Sequence, residues 1–406
     1  MRVCVVGAGG REHALAVVLG RHHEVVVTPG NPGIPGSTGV PPEQVEADLF
    51  VIGPEAPLVD GLADRLRAAG RLVFGPGADG ARLEGSKAWM KDVLVAAGVP
   101  TARHGAFTDA DGAFAFLDTL DGLYVVKTDG LAAGKGVLVT TSLDDARAAV
   151  TEYLSGEAFG DAGRTVVIEE GLTGPELSIL AVCDGQRAVA LAGAQDFKRV
   201  GDGDAGPNTG GMGAYSPVPV AGDDVIAMVM DDAVTPTLAA LRDLGIDYRG
   251  VLYAGLMLTP SGPKMLEYNV RFGDPETQVV LPRLTSDLGE LLAAAAAGAL
   301  GADPTFDDGA AVTVVCAAEG YPRELRLGDP IQGLDAARAV DGVSVFCAGV
   351  GADPDGRLVT AGGRVLAVTG QGADLAEARE RAYEAVGRIA WPGMHHRTDI
   401  ASRAVG

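Results

Sequence analysis

The chain has 406 residues, enough for two to four domains of roughly 100 to 200 residues each. With 47% hydrophobic and 21% charged residues, it can bury a core, which excludes a wholly disordered protein. Its 54 acidic and 32 basic residues give a formal net charge of -22, which disfavours nucleic acid and anionic membranes as partners. A phosphorylated ligand would therefore need local positive groups to hold it.

Nothing in the sequence indicates secretion or membrane insertion. The first apolar strand passes directly into glycine-rich sequence and Arg11, without the pattern of a signal peptide. The apolar run LLAAAAAGAL from Leu291 is too short to cross a bilayer and predicts a buried helix. We therefore expect a cytoplasmic protein. Buried free thiols are predicted for the four cysteines, which form no C-x-x-C pair: Cys4, Cys183, Cys316 and Cys347.

Strand and helix patterns alternate through about Gly98. The predicted strands are VCVVG, VVVTP, LFVIG and LVFGP. The predicted helices begin at Arg11, begin at Leu58, and run from about Glu84 to Ala97. This alternation is typical of a parallel, doubly wound α/β domain.

The turn after the first strand, GAGGREH over residues 7–13, leads into a helix, whose N-terminal N–H groups can hold a phosphate. A dinucleotide fingerprint requires glycine at position 12, where this chain has Glu12, so NAD binding is disfavoured. A purely structural turn is the alternative. Arg11, Asn31 and the GPEAP loop follow three predicted strand ends, which favours a crevice for a sugar phosphate.

The pattern changes after the first domain. From Tyr124 to Ile179, strands with glycine-rich connections predict a small α+β subdomain. The later segment QDFKRVGDGDAGPNTGGMGAYSP is too long for a simple connector and predicts a functional loop. From about Ala311, short strands and a closing helix predict a compact C-terminal domain.

Lys127 begins a glycine-rich segment, KTDGLAAGKG, between two strand patterns. It is not a Walker A loop, because Gly130 is one residue too close to the Gly-Lys pair and a strand follows. The segment fits a hairpin over a polyphosphate, with Lys127 and Lys135 as mobile charges against the phosphates. Two solvated lysines beside a glycine turn are the alternative.

Acidic residues follow the strand VVI. Glu169 and Glu170 end that strand, and Glu176 comes after a turn. One interpretation is a solvated strand end. The other places adenine against the backbone there, with ribose hydroxyls on Glu176.

The segment MLEYNVRFGDPE over residues 265–276 alternates apolar and polar residues. A strand would place Glu267, Asn269 and Arg271 on one face and the apolar residues from Leu266 to Val270 on the other. Two oxygen donors beside nucleotide phosphates suit Mg²⁺, and an arginine can stabilise a transferring phosphoryl group. A polar sheet face explains the alternation, but it does not explain the appended GDPET.

Six segments occur in order over residues 9–278: GGREHA, GPEAPL, LEGSKA, DGLAAGKGV, GPNTGGMGAYSP and RFGDPETQ. In these, the chain resembles the phosphoribosylamine-glycine ligase (glycinamide ribonucleotide synthetase) family of ATP-grasp enzymes, over essentially its whole length. The resemblance implies a multidomain α/β and α+β fold. Its parts would be a Rossmann-like domain over 1–100, an ATP-grasp domain over 101–310 with a lid at about 124–185, and a mixed α/β domain over 311–406.

The resemblance also implies roles for individual residues. ATP would contact Lys87, Lys127, Glu169, Glu170 and Leu172, with its ribose on Glu176. Mg²⁺ or Mn²⁺ would bind Glu267 and Asn269. Phosphoribosylamine would lie near Gly10, Arg11, Asn31 and Glu55, and glycine near Asp196, Lys198 and Arg271. Lys127, Lys135 and Arg271 would be catalytic.

The implied activity is the ATP-dependent joining of glycine to phosphoribosylamine by a monomer, through a glycyl phosphate, in the second step of de novo purine biosynthesis. Alternatives are another ATP-grasp ligase or carboxylase, a non-catalytic nucleotide sensor, or an NAD-binding protein. The segments RFGDPETQ and GPNTGGMGAYSP favour the glycine ligase over the other ATP-grasp enzymes.

The chain departs from the family pattern at several positions. Ala8 stands where asparagine is frequent, Thr128 where alanine is usual, and Phe197 where histidine is expected. A phenyl ring cannot exchange protons, which argues against an acid–base role at 197. The predicted strand VLYAGLML carries no acidic metal ligand, and the segment between Asn31 and Phe50 is short enough to have lost one strand–helix unit.

Overall fold

A computed structural model describes residues 1–130, 136–156 and 164–405 of the chain. In them, three four-stranded sheets and one five-stranded sheet carry the fold, together with two small ribbons. One sheet is parallel and the others are antiparallel. The predicted multidomain α/β and α+β class is confirmed.

The N-terminal domain is built on a parallel sheet in the order β2-β1-β3-β4. Its elements are β1 Arg2–Gly7, α1 Gly10–Leu19, β2 Glu24–Pro29, β3 Leu49–Ile52, α2 Glu55–Val59, α3 Leu62–Ala68, β4 Val73–Phe74, α4 Ala78–Gly85 and α5 Lys87–Ala96. The strands β1 and β3 read as continuous apolar runs because helices cover both faces of a parallel sheet. The predicted alternation of strands and helices around a parallel sheet is therefore confirmed.

Two predicted helices are each divided in the structure. The helix predicted from Leu58 is split into α2 and α3, because Gly61 between them adopts a left-handed backbone with φ of 76°. The helix predicted from Glu84 to Ala97 is α4 followed by α5. Ser86 separates them, since its side chain accepts a hydrogen bond from the Trp89 N–H and caps α5. Between β2 and β3 the chain forms only a short 3-10 turn, Pro42–Gln44, in agreement with the expected trimming.

The small subdomain, called the lid below, spans residues 104–170. Its elements are β5 His104–Phe107, α6 Ala110–Leu117, β6 Tyr124–Thr128, β7 Val137–Thr140, α7 Leu143–Leu154 and β8 Val166–Glu170, with the sheet order β5-β8-β6-β7. It has its own apolar core, which includes Leu117, Val126, Val150 and Ile168. These bounds differ from the predicted 124–185, because the strand that begins at Glu176 belongs to another sheet.

The rest of the chain forms two larger sheets and the two small ribbons. The elements are β9 Glu176–Asp184, β10 Ala188–Ala190, β11 Gln195–Asp196, β12 Arg199–Gly201, β13 Ala205–Asn208, β14 Gly213–Ser216, α8 Asp223–Val229, α9 Thr235–Asp243, β15 Arg249–Thr259, β16 Gly262–Asn269, α10 Thr277–Val280, α11 Leu288–Ala297, β17 Ala310–Ala317, α12 Leu334–Arg338, β18 Val343–Cys347, β19 Val350–Ala352, β20 Leu358–Thr360, β21 Arg364–Gly372 and α13 Leu375–Val386.

The central sheet has the order β10-β9-β15-β16, and the C-terminal sheet has the order β11-β14-β17-β21-β18. The ribbons are β12-β13 and β19-β20. In the C-terminal sheet, β11 and β14 come from before residue 310; β11 pairs with β14, and β14 pairs with β17. The boundary predicted at residue 310 therefore does not separate the strands of one sheet from those of the other. As a boundary between domains it stays a prediction.

A bulge interrupts the pairing of β15 with β16. Glu267 lies opposite Gly255, whereas Met265 lies opposite Leu256, so Leu266 is the extra residue. The strict alternation predicted for this strand therefore fails at Leu266.

The described part of the chain contains no helix that is long and apolar enough to span a membrane. The apolar run near Leu291 forms α11, which buries Leu288, Leu292 and Ala295. All four cysteines are buried and free, as predicted.

Candidate active site

A cavity of about 830 Å³ lies where the N-terminal domain, the lid and the central sheet meet. The predicted site residues on its wall are Arg11, Glu55, Lys87, Lys127, Glu169, Glu170, Leu172, Glu176, Asp196, Lys198, Glu267, Asn269 and Arg271. Gly10 and Asn31 are not on this wall, and Lys135 lies outside the described residues. The structure therefore brings together residues that are far apart in the sequence.

One end of the cavity is apolar. Its wall there includes Met90, Leu177, Met257 and Leu266. The bulge in β16 brings Leu266 to this wall. The neighbouring backbone of Glu170 is held by its N–H bond to the Arg103 carbonyl, at 2.9 Å. A flat aromatic base would find apolar contacts at this end.

Next to the apolar end lies a buried group of three charges. The Glu169 carboxylate lies 2.7 Å from Lys127 Nζ and 3.0 Å from Lys91 Nζ, and all three side chains are buried. Burial opposes ionisation of Glu169, but Lys127 and Lys91 outweigh it and lower the pKa of this carboxyl. Burial lowers the pKa of Lys91 to about 8. The Glu169 carboxylate is thus already bound by two lysines.

Lys87 lies at the start of α5, beside the turn that follows β6. Its Nζ donates to the Gly130 carbonyl at 2.8 Å, and burial lowers its pKa. The Asp129 carboxylate accepts from the Ala88 N–H and from the Ser86 hydroxyl, both at 3.1 Å. These bonds hold the N-terminus of α5 against the lid, with Lys87 and Lys127 facing the same cavity.

Lys198 joins the predicted ribose and glycine residues. Its Nζ lies 2.9 Å from Glu176 and 2.7 Å from Asp196. Burial opposes the charge on Lys198, but Asp196 and Glu176 raise the pKa of this lysine well above its ordinary value. One cation thus neutralises two carboxylates on the cavity wall.

Glu267 and Asn269 fit a hard cation. The half-buried Glu267 carboxylate makes no hydrogen bond or ion pair with any described residue, and Glu267 lies opposite Gly255 of β15. The Asn269 Oδ1 accepts from Arg271 at 3.2 Å. No cluster of three or more His, Cys, Asp or Glu suited to a metal occurs among the residues that the structure describes. One carboxylate and one amide oxygen suit Mg²⁺ that keeps phosphate and water ligands.

Arg271 is held by two carboxylates from the N-terminal domain. Its guanidinium lies 2.8 Å from Glu84 and 3.3 Å from Glu55. Burial raises the pKa of Glu84, and this effect exceeds the opposing effect of Arg271. For Arg271, the two carboxylates outweigh burial and raise its pKa further. The arginine is therefore a fixed positive charge in the cavity wall.

Glu12 explains why the first turn is not a dinucleotide fingerprint. Its carboxylate accepts from the Gly9 N–H and from Arg11 Nε, both at 2.6 Å. A Cβ at Gly7 would come within 2.5 Å of the Glu12 side chain, and one at Gly53 within 2.1 Å. Glu12 thus fills the space beside the turn and orients Arg11, whose Nη1 also donates to the Phe272 carbonyl at 3.1 Å.

Gly10 and Asn31 lie at the junction with the C-terminal domain. The Asn31 amide donates to the Ala8 carbonyl at 2.8 Å and to the Ala348 carbonyl at 3.0 Å. A Cβ at Gly10 would lie 2.9 Å from Gln278 and 3.5 Å from Ala348. Neither Gly10 nor Asn31 lines the cavity, and their predicted contact with phosphoribosylamine stays a prediction.

Several residues of the cavity were not assigned from the sequence. Glu276 accepts from the Tyr253 hydroxyl at 2.7 Å, and Asp274 pairs with Arg364 at 3.0 Å. The segment GDPET contains Asp274 and Glu276, but the sequence did not predict a role for either residue. Glu84 belongs to the segment LEGSKA, and Arg364 comes from the C-terminal domain, so only the fold brings them to the cavity.

Two of the departures from the family pattern can be described. The Phe197 ring lies 4.9 Å from the Arg397 guanidinium and 6.2 Å from the Tyr215 ring, a packing role that needs no proton exchange. The Thr128 hydroxyl is buried and has no hydrogen-bond partner among the described residues.

Comparisons with known proteins agree along the whole chain. Models of the phosphoribosylglycinamide synthetase family match residues 1–84 (N domain), 85–277 (ATP-grasp (A) domain) and 311–403 (C domain). A phosphoribosylamine-glycine ligase of Brucella melitensis is 47% identical over 422 residues, covering 100% of this chain and 98% of the relative. One of Streptomyces coelicolor is 48% identical over 427 residues, covering 100% of both. The crystal structure of the Thermotoga maritima enzyme of that name superposes with a TM-score of 0.85, at 36% identity, covering 99% of this chain and 100% of that one.

Proposed function

Because the chain belongs to the phosphoribosylglycinamide synthetase family, we propose that its cavity joins glycine to 5-phosphoribosylamine, consuming ATP in the second step of purine biosynthesis. The relatives that support this activity match over the full length of the chain, and their name describes a carbon–nitrogen ligase. The observation that carries the proposal is the shared cavity wall, on which Lys127, Glu267 and Arg271 meet.

The proposed orientation of ATP follows from the residues on the cavity wall. Its adenine has apolar contacts at the end formed by Met90, Met257 and Leu266, beside the strand end at Glu170. Its phosphates then point toward Lys87 and Lys127, the lysines that face the cavity at the base of the lid. This placement matches cationic side chains to the negative end of the nucleotide.

Glycine fits beside the phosphates. Its carboxylate would approach Lys198 and Arg271, while its ammonium group would find Asp196 or Glu276 nearby. Arg11 and Glu55 mark the end of the cavity that belongs to the N-terminal domain, where phosphoribosylamine would enter. Each substrate thus has a different part of the wall.

The reaction needs two displacements because a carboxylate resists attack by an amine. First, a glycine carboxylate oxygen attacks the γ-phosphorus of ATP, and ADP leaves with the electron pair of the broken P–O bond. The phosphoribosylamine nitrogen then attacks the carbonyl carbon of glycyl phosphate; inorganic phosphate leaves, and the nitrogen loses one proton as glycinamide ribonucleotide forms. Lys127 and Arg271 hold positive charge where negative charge develops, so catalysis comes mainly from positioning and electrostatics. Mg²⁺ bound by Glu267 and Asn269 would supply charge neutralisation of the nucleotide phosphates.

The function is tested by ADP release with each substrate omitted in turn. We expect ADP only when ATP, glycine and phosphoribosylamine are all present, and we expect the amide product. Turnover with bicarbonate in place of glycine would instead assign the chain to a carboxylase reaction. Binding of ATP with no glycine-dependent turnover would indicate a nucleotide sensor.

The glycyl phosphate intermediate is tested by isotope transfer. With ¹⁸O in both carboxylate oxygens of glycine, one labelled oxygen should appear in inorganic phosphate, with ADP as the other product. Mass spectrometry of the phosphate measures this. Attack at the α-phosphorus would give AMP and pyrophosphate, and label in AMP would contradict the acyl-phosphate route.

Arg11→Ala should affect one substrate selectively. We expect its KM for phosphoribosylamine to rise by about tenfold or more, since a charged hydrogen-bond donor is lost, while the KM for ATP changes little. Steady-state kinetics with each substrate varied in turn measure this. Arg65→Ala, which removes an exposed arginine from the same domain, is the matched control. Equal rises for both substrates would contradict the assignment of this end of the cavity.

A further inference from the structure

Lys91 is a buried lysine with no direct access to the cavity. It lies on α5 with its side chain 1% exposed, and it is absent from the cavity wall that includes Lys87 and Met90 of the same helix. Burying an ammonium group is costly unless it is paired and hydrogen-bonded. Its Nζ donates to the Glu169 carboxylate at 3.0 Å and to the Thr101 hydroxyl at 2.8 Å. Lys91 therefore has specific partners that offset the cost of its burial.

Glu169 connects Lys91 to the cavity. Its other carboxylate oxygen lies 2.7 Å from the Nζ of Lys127, which is on the cavity wall. Lys91 is on a helix outside the lid, whereas Glu169 and Lys127 are on the lid strands β8 and β6. The contact between Lys91 and Glu169 thus joins the lid to the rest of the protein at the lid base.

The same contacts continue to the strand with the predicted metal ligands. The Thr101 hydroxyl, which accepts from Lys91, donates to the Met265 carbonyl at 2.6 Å. Met265 is on β16, two positions before Glu267. A continuous series of polar contacts therefore runs from β16 through Thr101, Lys91 and Glu169 to Lys127.

The charges in this series matter for an anionic ligand. Two ammonium groups share one carboxylate, so the group formed by Lys91, Glu169 and Lys127 carries a net positive charge. Without the Lys91 charge, Glu169 would pair with Lys127 only and cancel its charge. The Glu169 carboxylate would also be free to change its orientation. Lys127 would then attract phosphates less strongly and be held less firmly.

We propose that Lys91 is a positioning residue for ATP, which acts from outside the lid by fixing Glu169 and, through Glu169, Lys127. This inference rests on the proposed use of ATP at this cavity. Lys127 would contact the nucleotide directly, whereas Lys91 would fix the position of Lys127 and the net charge around it.

The first test is Lys91→Met in the full chain, which removes the ammonium group and keeps most of the side-chain volume. We expect the KM for ATP to rise at least tenfold, with the KM for glycine within twofold of the original value. Calorimetric binding of MgADP should weaken by a similar factor. Lys91→Arg should recover most of the affinity, since it restores a cation. Arg147→Met, which breaks an exposed ion pair within the lid, is the control and should leave the KM for ATP unchanged.

The second test asks whether Lys91 acts through Glu169. In a double-mutant cycle, Lys91→Met should weaken MgADP binding in the original protein. In a Glu169→Gln background, the same substitution should weaken MgADP binding by less than a further twofold. A full additional loss in that background would overturn the proposed path. Equal changes for ATP and glycine, or unchanged MgADP binding in a folded Lys91→Met variant, would overturn the role itself.

Folding is monitored by circular dichroism and thermal unfolding. If Lys91→Met does not fold, Thr101→Val provides the test, because it removes one hydrogen bond of Lys91 and keeps its charge. It should raise the KM for ATP selectively, and the absence of that effect would overturn the proposal. The MgADP measurements do not depend on glycine or phosphoribosylamine, so they test Lys91 even if the proposed ligase reaction fails.

Discussion

Glu267→Gln is expected to lower kcat by about a hundredfold or more without unfolding the protein. The Glu267 carboxylate faces the cavity and is half-buried, and it makes no ion pair within the described part of the chain, so its charge is not needed for folding. In the proposed reaction it is the one charged protein ligand for Mg²⁺ beside the nucleotide phosphates, and an amide is a much weaker ligand.

The measurement is steady-state ADP release over a range of Mg²⁺ concentrations, with circular dichroism and thermal unfolding as checks of the fold. Asn269→Leu should have the same direction of effect through loss of the second oxygen donor. Glu290→Gln, at the exposed start of α11, is the matched control and should behave as the original protein does. Turnover that is unchanged at saturating Mg²⁺ would refute the assignment of these two residues.

Arg271→Met is expected to lower both activity and stability. The guanidinium compensates the buried Glu84 carboxylate and the partly exposed Glu55 carboxylate, so its loss leaves a buried charge without its partner. Breaking a buried pair in this way costs about 3–5 kcal/mol in the free energy of unfolding. Loss of the fixed positive charge at the phosphoryl group should lower kcat by about a thousandfold.

The double variant Glu84→Gln, Arg271→Met distinguishes the two effects. Removing the orphaned carboxylate should recover part of the unfolding free energy, measured by urea denaturation, but none of the activity. Recovery of activity in the double variant would show that Arg271 acts only by neutralising Glu84, which would contradict its proposed role in phosphoryl transfer.

The single variant Arg271→Met should also lose stability as the pH rises. Burial already raises the pKa of Glu84 above its ordinary value of 4.5, and loss of the arginine removes an influence that lowers it. The folded variant would then hold a proton that the unfolded chain has released, so its unfolding free energy falls with increasing pH above about 4.5. Urea denaturation at several pH values measures this.

The polar face of β16 was predictable from the sequence because it depends on strand alternation within one short segment. The structure places Glu267, Asn269 and Arg271 on the cavity wall, but Leu266 and Tyr268 from the opposite predicted face also line it. Leu266 was assigned to the wrong face, since the bulge arises from pairing with β15 and has no local signal in the strand itself.

The buried charges could not be predicted. Lys91 and Glu84 lie in helical patterns, where a charged residue is normally solvated, and their partners Glu169 and Arg271 are far away in the sequence. Asn31 was assigned to a crevice for a sugar phosphate because it follows a strand end of a parallel sheet, and that assignment stays a prediction. The C-terminal domain covers that strand end, as the hydrogen bond to the Ala348 carbonyl shows.

The interleaving of the central and C-terminal sheets limits how the gene could be split into separately translated pieces. Strands of the central sheet come from 176–190 and 249–269, and strands of the C-terminal sheet come from 195–216 and 310–372, so no single break after residue 176 separates the two. A break after 310 would leave β17 with an open edge where β14 belongs, and such edges pair with other chains. The lid is different, because His104 and Glu169 at its two ends are paired neighbours on β5 and β8. The lid therefore has the connectivity of a unit inserted at one point of the chain, whereas the two interleaved sheets must be made together.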